Sequence, residues 1–332
     1  MPRSTHRTAL LAAIAGVAAI TLVACTPATL PGPQVQPRDP GRGAVAGQEP
    51  APSSGCAYVG PDAPPVGRST VTVAWKGEQR RAVLDVPDVD GLGPRPLLVS
   101  LHPFTLEPAA WEQYSGLGAA AVARGYITVT PLGSPPGPRW AVPGGLDLGV
   151  DDVGFVGALL DHVEDRLCVN RNREFAAGYS AGAAMAQALS CTMPWRFAAV
   201  AGSSGVNLTS TCPSSPATDV FVLHGTADNI APLTGSQIVF ATPLGLAVDT
   251  VVATDAARAG CDPTPVPSQP FAQVEAQTFT GCHDGARVQY WKELGAGHTW
   301  AGKVSLLDLF VGPTLTSFSA TRAVLDFFDA TP

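Results

Sequence analysis

Lysine is nearly absent from this 332-residue chain: only Lys76, Lys292 and Lys303 occur. Charged residues of all kinds make up 14% of it, and the net charge is −7. It becomes −9 once Arg3 and Arg7 of the leading segment are set aside. No basic cluster interrupts this pattern, so nucleic acid has no electrostatic footprint to bind. No Cys-x-x-Cys pair and no His/Cys grouping suggests zinc, and neither a metal nor an organic cofactor is expected. Gly116-Leu117-Gly118-Ala119-Ala120-Ala121 approximates a dinucleotide fingerprint but does not directly follow a strand, which removes that reading. Internal repeats are absent. Long apolar runs are missing too, with one exception at the start of the chain.

That exception is Ala9 to Ala24, preceded by Arg3 and Arg7 and closed by Leu22-Val23-Ala24-Cys25. A charged start, an apolar stretch and a small-residue end describe an export signal. The stretch is short for a spanning helix, which needs about 20 apolar residues. Its last four residues resemble the lipobox of bacterial lipoproteins, in which the cysteine becomes the lipidated first residue. The alternative is an ordinary secretory signal with an incidental Cys25. Residues 25–54 are rich in Pro, Gly, Ala and Gln without hydrophobic periodicity, a composition that cannot offset chain entropy by burial. They read as a tether. Residues 55–332 suffice for one sizeable catalytic domain.

Seven cysteines are an odd number for an exported chain. Lipidation of Cys25 leaves Cys56, Cys168, Cys191, Cys212, Cys261 and Cys282, an even set suited to disulfides. Local spacing favours Cys191–Cys212 and Cys261–Cys282, leaving Cys56–Cys168 to close a long loop.

Along the rest of the chain, Val71–Trp75 and Arg81–Val86 alternate apolar and polar residues around Gly77-Glu78, which predicts an antiparallel hairpin. Pro96–Leu101, Tyr126–Thr130, Phe175–Ala177, Phe197–Ala201, Val220–Leu223 and Val288–Trp291 are compact apolar runs of buried-strand type. Helical patterns cover Trp111–Arg124, Val153–Leu167, Ala181–Leu189, Ala247–Ala259 and Thr321–Phe328. The alternation implies a mostly parallel sheet flanked by helices. Leu132–Gly149 is Gly/Pro-rich and long for a structureless loop, the kind of segment that serves function or is disordered.

The most informative stretch is Gly178-Tyr179-Ser180-Ala181-Gly182, between a strand and a helix. It fits the Gly-x-Ser-x-Gly elbow, where a strained turn presents a serine hydroxyl at a helix N-terminus. A serine needs a base to take its proton. Of six histidines, His298 lies in the glycine-rich loop after the last strand, where hydrolase sheets deliver that base. His102 and His224 also end strands; His162 lies mid-helix and His283 beside Cys282. Asp228 follows the Val220–Leu223 strand, at the sheet end where open α/β sheets place their sites. The order Ser180, Asp228, His298 is that of α/β-hydrolases. Oxyanion donors are expected at the amide of Ala181 and in the loop after Pro96–Leu101. Pro103 has no N–H there, so Phe104 is the candidate and Thr105 its alternative. Trp140 and Trp300 flank the predicted cleft; as packing residues they are ordinary, as cleft walls they suit an aromatic or sugar-linked ester.

Together with Val150-Asp151-Asp152-Val153-Gly154-Phe155, Cys191, Phe197-Ala198-Ala199-Val200, His224-Gly225-Thr226-Ala227-Asp228 and Gly297-His298-Thr299-Trp300, the elbow resembles the secreted serine esterases that include polyhydroxybutyrate depolymerases and feruloyl or acetylxylan esterases. The resemblance implies an α/β-hydrolase fold, a triad of Ser180, Asp228 and His298, and disulfides close to those above. Two departures stand out: His102-Pro103 where the family usually has His-Gly, and Ala183 where a second glycine is common. The expected activity is hydrolysis of feruloyl-type, acetyl-type or other short-chain esters outside the cytoplasm. Polyester depolymerisation is the nearest alternative, although no additional binding domain remains to be assigned. A non-catalytic, ligand-binding surface lipoprotein and a peptidase are the rivals from other classes.

Overall fold

The computed structural model describes residues 49–58, 64–88, 93–134, 137–145, 149–235, 237–239 and 242–331. The export signal, Cys25 and most of the tether lie outside them. In chain order the elements are β1 (Gly67–Trp75), β2 (Glu78–Val86), β3 (Arg95–Leu101), α1 (Pro108–Ser115), α2 (Leu117–Val122), β4 (Ile127–Pro131), α3 (Asp152–Glu164), β5 (Val169–Tyr179), α4 (Ala181–Thr192) and β6 (Ala199–Ser203). They continue with β7 (Asp219–Gly225), β8 (Gln237–Val239), β9 (Thr242–Leu244), α5 (Val248–Arg258), β10 (Val266–Phe271), β11 (Val274–Phe279), β12 (Val288–Glu293), α6 (Asp308–Val311) and α7 (Ala320–Asp329).

Ten strands form one sheet in the order β1-β2-β4-β3-β5-β6-β7-β12-β11-β10. The six from β4 to β12 run parallel, with the antiparallel pairs β1–β2 and β10–β11 at the two edges. Parallel strands must be covered on both faces, which is why β3 to β7 are near-continuous apolar runs. One face packs against α3, α4 and α5 through Phe155, Leu159, Met185, Leu189, Val251 and Val252. The other packs against α1, α2 and α7 through Trp111, Leu117, Val324, Leu325 and Phe328. This is the mostly parallel, helix-flanked sheet expected from the alternation of runs, in the α/β-hydrolase architecture that the resemblance implies.

Two expectations change. The helix predicted over Trp111–Arg124 is two helices, because Gly116 takes a left-handed conformation (φ 66°) that ends α1 and starts α2 in a new direction. Strands β10 and β11 were not expected. Pro267 and Pro270 remove ladder donors from β10, whose residues are all exposed, so it carries no buried-strand pattern; an edge is where such prolines are tolerated.

All three disulfides have the predicted partners: Cys56–Cys168, Cys191–Cys212 and Cys261–Cys282. In the loop-entropy view each stabilises the fold by about 3 kcal/mol or more. The first fastens residues 51–56 to the start of β5, where Pro52 bridges Asn170 and the Ser53 amide donates to the Val169 carbonyl. The loop after β4 is also tied down. Asp152 is buried at the head of α3, accepting from Arg80, from the Ser134 hydroxyl and from the Ala141 amide.

Candidate active site

Ser180 stands between the end of β5 and the start of α4 with φ 56° and ψ −121°, a backbone state that L-residues rarely occupy. Two glycines make room for it. A Cβ on Gly182 would sit 2.1 Å from the Leu101 carbonyl oxygen, and one on Gly205 would sit 2.0 Å from that of Ser180. The first of these approaches brings the elbow against the end of β3, whose following loop was expected to supply an oxyanion donor.

The Ser180 Oγ lies 2.8 Å from His298 Nε2, and His298 Nδ1 lies 2.8 Å from Asp228 Oδ2. With Nδ1–H donating to the carboxylate, the neutral ring leaves Nε2 to accept the serine proton. Asp228 Oδ1 accepts the amides of Ile230 and Ala231, and Oδ2 also faces His224 Nε2 at 3.3 Å. Burial alone would raise this carboxyl, but the hydrogen bonds from His224 and His298 outweigh it and hold it well below the usual carboxylate range. The group therefore stays ionised throughout the working pH range. His224 Nε2 lies 2.7 Å from the Ala231 carbonyl, closing the turn that carries Asp228.

The loop after β3 is ordered by His102. Burial pushes this imidazole down to about 4, so it is neutral. Its Nε2 accepts the Gly133 amide, which puts the proton on Nδ1, where it donates to the Pro103 carbonyl. The Thr105 amide donates to the Pro138 carbonyl, which removes Thr105 as an oxyanion donor. The Phe104 amide has no acceptor among the described residues, and neither has that of Ala181 at the first position of α4.

This arrangement can deliver a hydroxyl nucleophile to a carbonyl carbon and hydrogen-bond the resulting oxyanion. No family model matches the chain. Among curated proteins, feruloyl esterase C of Emericella nidulans is 30% identical over 243 residues, which span 67% of this chain and 82% of that protein. The chain belongs to the feruloyl esterase family. Feruloyl esterase D of Neurospora crassa is 30% identical over 186 residues, 54% of this chain and 63% of its own. A putative esterase, NocK of Nocardia uniformis, is 28% identical over 260 residues, 70% of this chain and 74% of its own. The acetyl xylan esterase from Aspergillus awamori shares the fold, with a TM-score of 0.52 and 17% identity over 66% of this chain and 89% of that one.

As a family member the protein is a carboxylic ester hydrolase. In this esterase Trp140 and Trp300 are not open cleft walls. Trp140 is buried, stacks on His102 with centroids 4.7 Å apart and donates its Nε1–H to the His102 carbonyl. Trp300 is buried against Trp111 and donates to the Thr321 hydroxyl. Each indole stiffens a loop of the site from beneath, because its N–H finds a partner in the core. His162 is buried within α3 and His283 lies in a turn packed against Gly260, both away from the elbow.

One contributor escaped the sequence reading. Tyr179, the variable residue of the elbow, is buried and donates its hydroxyl to the His298 carbonyl at 2.5 Å. It couples the strand that leads to Ser180 to the loop that carries His298. Tyr179→Phe leaves that carbonyl unsatisfied, which costs about 1–2 kcal/mol of positioning and should lower kcat/KM on p-nitrophenyl acetate about tenfold. Unchanged kinetics would remove Tyr179 from the positioning of His298.

Proposed function

We propose that the protein is an extracytoplasmic serine esterase that cleaves feruloyl-type, acetyl-type or other short-chain esters through an acyl-enzyme on Ser180. The observation that carries this reading is the pair of 2.8 Å contacts linking Ser180, His298 and Asp228. Ser180 Oγ attacks the ester carbonyl while His298 takes its proton, and the amides of Ala181 and Phe104 receive the oxyanion. The tetrahedral intermediate collapses as His298 returns the proton to the leaving alcohol. Water, deprotonated by the same imidazole, then releases the acid. Asp228 holds the ring and stabilises its cation without itself accepting the proton.

Three disulfides support folding in an oxidising compartment. The charged and apolar start of the chain supports export, and the Leu22–Cys25 sequence supports a lipid anchor at Cys25. We take residues 1–24 as signal, 25–54 as tether and 55–332 as the catalytic domain. The names of the relatives favour feruloyl or acetyl groups as the acyl part.

A serine-reactive phosphonate applied to the full-length protein tests the chemistry. One label per chain is expected, on the peptide that contains Ser180. A folded protein that takes no label is instead a ligand-binding lipoprotein. Ferulate or acetate released from xylan oligomers is the expected substrate result. Release of 3-hydroxybutyrate oligomers alone would turn the reading to polyester depolymerisation.

A further inference from the structure

Between Val304 and Phe310, five of seven residues are large and apolar, and all five face solvent. Val304 is 69% exposed, Leu306 86%, Leu307 58%, Leu309 83% and Phe310 65%. Soluble proteins seldom leave such a continuous apolar stretch open unless something binds it. The segment ends in the single turn of α6 and is fixed to the catalytic loops. The amides of His298 and Gly297 donate to the carbonyls of Val311 and Pro313. The Asn229 side chain, one residue after Asp228, reaches the Phe310 carbonyl.

Two more exposed apolar side chains come from the same end of the sheet: Phe104 (49%) in the oxyanion loop and Ile230 (44%) in the acid loop. The loops bearing base, acid and oxyanion donor thus each present an apolar side chain to solvent. An occupant resting on them lies over the loops that surround Ser180, where a substrate must arrive. The segment's only charge, Asp308, is half-buried, and its Oδ1 accepts from the amide and hydroxyl of Ser305. The segment offers no cation to an anionic surface, and its exposed side chains are apolar.

We infer that the Val304–Phe310 rim docks the esterase onto the surface of an aggregated apolar ester, a droplet of short-chain acylglycerol, so that an acyl group at the droplet surface enters the site. The inference rests on the proposed serine esterase and adds how its substrate is presented. Docking exchanges water against the leucines and Phe310 for water against the droplet, and so removes apolar surface from both.

The test follows tributyrin hydrolysis by the full-length protein across the solubility limit of the substrate. The rate should climb when droplets form. In the Leu306→Ser/Leu309→Ser variant, the ratio of the rate on emulsified to that on dissolved tributyrin should fall about tenfold or more. An unchanged ratio, or an equal loss on both forms, overturns the rim as a docking surface. So does a wild-type dimer, seen by light scattering, that the double variant dissociates, because a second copy then covers the rim. Adsorption of Ser180→Ala to droplets, measured by depletion on centrifugation, reports docking without chemistry. If Ser180→Ala still hydrolyses dissolved tributyrin, the serine mechanism fails while adsorption continues to report on the rim.

Discussion

Replacing Ser180 by alanine in the full-length protein is expected to lower kcat on p-nitrophenyl acetate by roughly four to six orders of magnitude. The hydroxyl is the group that His298 Nε2 contacts, and no other hydroxyl or thiol contacts that nitrogen among the described residues. Without it, an ester could react only with water placed by His298 and polarised by the amides of Ala181 and Phe104. The fold should persist. Alanine meets the same backbone demand at φ 56°, and the exchange removes one atom from a half-buried position. Equal urea midpoints for the two proteins, with the activity loss, would assign the effect to chemistry. A variant that keeps a tenth or more of the wild-type rate would remove Ser180 as the nucleophile.

The second large effect concerns stability. Glu293 closes β12 five residues before His298, fully buried, with neither carboxyl oxygen hydrogen-bonded among the described residues. Burial, with a smaller repulsion from Asp228, pushes its titration up from 4.5 to about 8. A carboxyl raised in this way keeps its proton in the native state at pH values where the unfolded chain has lost it. Its contribution is therefore complete below pH 4.5, declines between 4.5 and about 8, and is gone above. Ionising such a group inside the fold costs about 3–5 kcal/mol. Glu293→Gln removes the titration and keeps the shape. Its urea midpoint should match wild type near pH 4.5 and exceed it increasingly towards pH 8.5. Asp219 and Asp255, both raised to about 6 by burial, titrate in both proteins and cancel from the difference. A difference between the two proteins that does not change with pH would contradict this account.

The parallel strands were legible because burial on both faces turns each into a short apolar run with no competing periodicity. Ser180, Asp228 and His298 were legible for a related reason: each follows such a run, and the chain order Ser-Asp-His is informative in itself. What stayed hidden depended on where side chains point within irregular segments. Trp140 and Trp300 sit in glycine-rich loops, where neither period 2 nor period 3.6 tells the core side from the open side. The hydroxyl of Tyr179 meets a carbonyl 119 residues away, a pairing that no local pattern encodes. Glu293 is obscured in the opposite sense, since a carboxylate in a strand ordinarily marks the solvent side.

The fastening of residues 51–56 to the first residues of β5 fixes where the leader enters the esterase. Ser180 follows the last residue of that same strand, at its opposite end. Whatever precedes residue 49 joins the domain at the floor of the sheet, and the catalytic mouth opens at its roof. Under the lipid anchor proposed at Cys25, the point of attachment and the catalytic mouth therefore lie at opposite ends of the sheet.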